Sequence, residues 1–181
     1  MTKARDIASA APAPSTVDAT ELGYLDGVTS AIQTQLDAKA ASSTPTLTSP
    51  IVVSPEERTT VSATAANTTV NFDASTQGIL YYTSNATANW TLNVRGTSSV
   101  ALNSILATGD AITVSFLVTN GSTAYYQTAF NIDGSAVTPK YSGGTAPASG
   151  NASSIDVYTY TIIKTASATY TVFGAGPIKY A

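Results

Sequence analysis

Residues 111–130 read AITVSFLVTNGSTAYYQTAF, and the period of this stretch decides the fold class. Ile112, Val114, Phe116 and Val118 alternate with Thr113, Ser115 and Thr119. A two-residue period of this kind belongs to a strand with one apolar face. Asn120-Gly121 follows, a pair that readily takes the positive φ angles of a tight hairpin turn. The expected return strand carries Ala124, Tyr126, Thr128 and Phe130 on one face.

The same period extends outward in both directions. Trp90, Leu92 and Val94 alternate with Thr91, Asn93 and Arg95, while Val70-Asn71-Phe72 and Ile79-Leu80-Tyr81-Tyr82 are strand-like and separated by turn residues. Downstream, Asp133-Gly134 offers a second turn, and Ile155, Val157 and Ile163 share a face. Thr169 to Phe173 is expected to pair back across a short turn. Several short strands at such spacing predict a mainly β domain over residues 59–181, an antiparallel β-sandwich of jelly-roll type. A segment of about 120 residues suffices for its own core. No repeat of about 33–45 residues emerges, which argues against a propeller or solenoid.

Upstream the period changes. Asp18 to Lys39 reads DATELGYLDGVTSAIQTQLDAK, with Leu22, Leu25, Thr29, Ile32 and Leu36 at alternating spacings of three and four. That spacing draws one narrow apolar seam along a helix, and predicts a short coiled coil over residues 18–40. Asp18 and Glu21 suit the first turn, where side-chain oxygens satisfy unpaired amides. Leu36 at an a position with Ile32 at d leans toward three or four strands rather than two. The competing reading is a lone amphipathic helix packed on its own domain. Gly23 and Gly27 weaken either helix by about 1 kcal/mol each. Residues 41–58 form a Pro/Ser/Thr-rich neck. Residues 1–17 contain Ala-Pro-Ala-Pro, which favours extended backbone, and read either as a free tail or as a docking segment.

Composition removes several function classes. Asp, Glu, Lys and Arg make up only 10% of the chain, against about 25% in ordinary soluble domains. Net charge is -3 with eight basic residues, so no basic patch is expected to neutralise phosphates and nucleic-acid binding is not expected. No apolar run approaches the length of a membrane span, and the first residues lack a signal-peptide core. The chain has no cysteine and no histidine, which removes thiolate chemistry and the commonest general base and metal ligand. Asp73, Asp110, Asp133 and Asp156 are the only carboxylates between Thr59 and the C-terminus, and no pair of them reads as a hydrolytic acid and base. No catalytic residue, metal or cofactor is expected.

Aromatic residues are the candidate site. Tyr82, Trp90, Tyr126, Tyr158 and Tyr160 fall in strand-like stretches, and one member of each Tyr-Tyr pair must face away from a core. They read either as cover between copies of the chain or as a stacking platform for a host-surface glycan.

Two strings carry a resemblance. Glu21-Leu22-Gly23-Tyr24-Leu25-Asp26-Gly27-Val28-Thr29, followed by Ala31 to Lys39, resembles a segment that recurs in tail-fibre and other virion fibre proteins of tailed bacteriophages. In those proteins the segment sits where three chains come together. Tyr141 to Pro147, Ser154 to Lys164 and Tyr170 to Gly174 resemble the C-terminal domain of structural proteins from marine phages, cyanophages among them. The resemblance implies a homotrimeric fibre on the particle surface, on tail or head. It further implies that residues 1–17 dock on other virion proteins. A carbohydrate-binding adhesin domain is the alternative.

Overall fold

Strand-forming residues here build two sheets, and through its first six strands the chain crosses between them at every connection. The computed structural model describes residues 53–181 together with Thr20. The expected docking segment 1–17, the coiled coil 18–40 with its seam, and most of the neck lie outside the described residues. The elements are β1 (Thr59–Ala65), β2 (Thr68–Asp73), β3 (Ile79–Asn85), β4 (Trp90–Arg95), α1 (Leu102–Ile105), β5 (Ala111–Asn120), β6 (Gln127–Ile132), β7 (Ser135–Ala136), β8 (Lys140–Tyr141), β9 (Ser154–Ala166) and β10 (Thr169–Tyr180). One sheet runs β1-β3-β5-β9-β10-β8 and the other β2-β4-β6-β7.

The mainly β expectation holds, but the antiparallel sandwich requires correction. β1, β3 and β5 pair in parallel, as do β2, β4 and β6. The chain therefore winds as a coil, laying one strand in each sheet per turn. Thr59 pairs with Ile79 and Ile79 with Ser115, so the second coil is much longer than the first. Unequal coils leave no fixed period in the sequence, which is why no repeat was visible.

The corners explain the winding. Between β1 and β2 only Ala66 and Asn67 intervene; Ala66 is fully buried and Thr68 takes φ 36°. Corners of successive coils are bonded to each other, Thr87 N–H donating to Ala66 O at 3.0 Å and Ala86 N–H to Thr119 O at 2.8 Å. Asn120-Gly121 makes no hairpin. The buried Asn120 side chain instead donates from Nδ2 to Tyr125 O at 3.0 Å and accepts from Tyr125 N–H at 3.3 Å. Those bonds turn the chain across to the second sheet, so β6 pairs with β4 rather than returning along β5.

Antiparallel pairing closes the far end. β9 runs beside β5 from Ala111↔Ile163 to Asn120↔Ser154, and β10 returns along β9 across a two-residue turn, as expected. Asp133 (φ 50°) and Gly134 (φ 80°) form the predicted turn between β6 and β7. Both positive angles match the right-handed twist of the flanking strands.

Between the sheets lies an aromatic core. Trp90 meets Phe116 and Tyr158 edge-on, each at 5.9 Å between centroids, and Phe130 packs against Tyr160 at 4.5 Å. Edge-on rings set positive rims against negative faces. Gly174 makes room for this packing, since a Cβ there would come within 2.7 Å of the Tyr160 ring. At one end, α1 is held by side chains from one strand and one turn. The Asp133 carboxylate accepts from Leu102 N–H (2.7 Å) and Asn103 N–H (3.0 Å), while Lys164 Nζ donates to Asn103 O (2.7 Å) and Leu106 O (2.8 Å).

Candidate functional site

The candidate aromatics do not form one surface. Trp90, Tyr158 and Tyr160 are at most 1% exposed and belong to the core, so they cannot stack on a sugar or cover another copy. The cause lies in β9, where both faces are apolar. Tyr158, Tyr160 and Ile162 fill the gap between the sheets, and Ile155, Val157 and Ile163 take the opposite face. Burial raises the Tyr158 and Tyr160 hydroxyls well above the usual phenol range. The two hydroxyls, Trp90 Nε1 and the Gln127 amide have no hydrogen-bond partner among the described residues. Tyr82 is half-buried, edge-on to Phe116 at 5.3 Å. Tyr126 is half-buried at the β5–β6 corner, where its N–H donates to Asn89 Oδ1 at 3.0 Å. Only these two of the five keep accessible ring area.

The four aspartates of the β-domain are all engaged in structure. Asp73 pairs with Arg95 at 2.6 Å, Asp110 accepts from Ala107 N–H at 2.8 Å, and Asp133 caps α1. Asp156 is fully buried and accepts from Asn120 Nδ2 (3.1 Å), Asn151 N–H (2.9 Å) and Asn151 Nδ2 (2.8 Å). Among the described residues no three Asp, Glu, His or Cys side chains gather as a metal cluster. A surface depression beside α1 is lined by Asn93, Arg95, Asp133 and Gly134, but both of its charged groups are the ones just assigned. No described helix is long and apolar enough to cross a membrane.

The outer faces of the two sheets differ sharply. On the four-stranded sheet, Asn71, Asn93 and Asn131 are register partners, and Asn93 Nδ2 donates to Asn71 Oδ1 at 2.8 Å. The next row is the Asp73–Arg95 ion pair. On the six-stranded sheet one outward row runs Val61–Tyr81–Leu117–Val157–Ile178 across five strands. Val61 and Ile178 are 64% and 48% exposed. The flanking outward positions of those five strands carry Ala, Ile, Phe, Tyr, Ser and Thr, with Asn85 at the end of β3. Lys140 on the short β8 brings a charge beside this face, its Nζ 6.0 Å over the Phe173 ring. Sequence reading missed this surface, because it emerges only when the parallel register aligns single outward residues from distant strands. No protein-family model, curated protein or solved structure matches the chain.

Proposed function

We propose that the chain is a structural component of a bacteriophage virion, a short homotrimeric fibre standing on the tail or the head. In this reading residues 1–17 dock on other virion proteins, the seam Leu22, Leu25, Thr29, Ile32 and Leu36 joins three copies, and the β-domain stands outward on the particle surface. One observation carries it: the heptad string from Glu21 to Lys39, with its likeness to virion fibre proteins, precedes a domain whose charged side chains are largely occupied in holding the fold together. Such a domain supports a mechanical and adhesive role rather than chemistry. Three copies of a weak surface contact also gain effective concentration.

The test is recovery of the chain from purified particles by peptide mass spectrometry, with and without Ile32→Asp. The reading requires the chain in intact particles and its loss when the seam carries a charge. Absence from particles would refute it. The alternative adhesin rests on Tyr82 and Tyr126, the two candidate aromatics with accessible rings. Glycan-array binding lost in Tyr82→Ala or Tyr126→Ala would favour that reading.

A further inference from the structure

We infer that the outer face of the six-stranded sheet is the surface through which copies of this chain pack against one another, turned toward the axis of the assembly. The inference rests on the trimeric reading above and adds which face of the domain is shared.

The first support is the row Val61–Tyr81–Leu117–Val157–Ile178. Its members are register partners in β1, β3, β5, β9 and β10, so they lie side by side as one continuous apolar band. Ile155 and Tyr180, also register partners, flank it on one side, and Tyr180 is 58% exposed. A contiguous apolar patch of this kind on a folded domain marks an interaction surface. β9 has apolar residues on both faces, the pattern of a strand covered on both sides.

The second support is the state of the hydroxyls between the apolar rows. Thr113 and Thr161 share a hydrogen bond at 3.3 Å, and Ser115 and Thr159 share one at 3.4 Å. Thr119 Oγ1 donates to Tyr82 O at 3.0 Å and Thr83 Oγ1 to Ser62 O at 3.2 Å. Hydroxyls already bonded within their own sheet lose little when water is withdrawn.

The third support selects the occupant. Across the five long strands this face carries no charged residue, and Lys140 on the short β8 is a cation beside it, so a strongly charged partner finds little to pair with here. A surface of the same kind, another copy, matches its uncharged apolar band. Five strands about 4.8 Å apart and some 30 Å long give a face on the order of 700 Å², close to the roughly 800 Å² that each partner buries in a stable complex. The other sheet, with its asparagine row and ion pair, is built to face water.

The natural absence of cysteine makes the test clean. In the full-length chain, Val157→Cys places one thiol within the band, beside its central Leu117, and Thr69→Cys places one on the exposed face of the four-stranded sheet. Each is treated with a short bismaleimide, with Trp90 fluorescence checking that the core is intact. The expected result is crosslinking of most of the Val157→Cys chain, little of the Thr69→Cys chain, and a several-fold drop when Leu117→Lys is added to Val157→Cys. Equal or reversed yields in a chain whose solution mass is that of an assembly would overturn the shared face and leave the fibre reading standing. A single-chain mass with freely labelled Val157→Cys would overturn both, and leave the band to a different protein.

Discussion

The indole of Trp90 stands edge-on against the ring of Tyr158, with centroids 5.9 Å apart and planes at 84°. Trp90 comes from the four-stranded sheet and Tyr158 from the six-stranded one, so this contact joins the two layers. Replacing Tyr158 by Ala should destabilise the domain by about 3–5 kcal/mol, as deletion of a buried ring does. Tyr158→Phe should change stability by less than about 1 kcal/mol, because the hydroxyl has no hydrogen-bond partner among the described residues. Denaturant midpoints followed by Trp90 fluorescence separate the two outcomes.

Lys164 is a buried cation whose partners are backbone carbonyls. Lys164→Met keeps the packing stem but leaves Asn103 O and Leu106 O without their donor. The expected cost is about 2–4 kcal/mol. The amides of α1 should also lose hydrogen-exchange protection before the strands do.

Asp156 accepts three hydrogen bonds from Asn120 and Asn151 and ties the β5–β6 corner to the start of β9. Asp156→Asn replaces one acceptor oxygen by an NH2 donor that faces existing donors, and should cost about 1–3 kcal/mol. A midpoint unchanged in Asp156→Asn would show that this network does not hold the corner.

Alkaline pH should unfold the domain through its buried phenols. Tyr158 and Tyr160 are raised by burial above the ordinary value of 10.0, so the unfolded chain releases these protons first. Stability is then full below about pH 10 and falls as pH rises further, by up to about 1.4 kcal/mol per pH unit for each group. The double variant Tyr158→Phe/Tyr160→Phe should flatten that decline.

The seam makes a separate prediction. Ile32→Asp places an unpaired charge where three helices would meet, which is costly to bury. Sedimentation should report a shift from assembly to single chains, with the β-domain core unchanged by Trp90 fluorescence.

Much of the strand content was legible in the sequence, and most of the topology was not. Val114, Phe116 and Val118 are buried as their alternation predicts, as are Trp90, Leu92 and Val94. Asp133-Gly134 turns as its composition requires. Asn120-Gly121 does not, because the Asn120 side chain bonds its own loop and sends the chain to the other sheet. Register between β1, β3 and β5 depends on corners such as Ala66 and Ala86, which carry no periodic signal. In β9 the period alone could not choose a face, since Ile155, Val157 and Ile163 compete with Tyr158, Tyr160 and Ile162. Side-chain volume was the missing guide, because the larger rings fill the space between sheets. The same ambiguity placed Tyr158 and Tyr160 among candidate surface residues.

The measurement that bears most directly on the account is the solution mass of the full-length chain by light scattering at micromolar concentration. Three chains of 18.4 kDa, about 55 kDa together, are predicted. A mass of 18.4 kDa, that of one chain, would contradict the trimeric fibre.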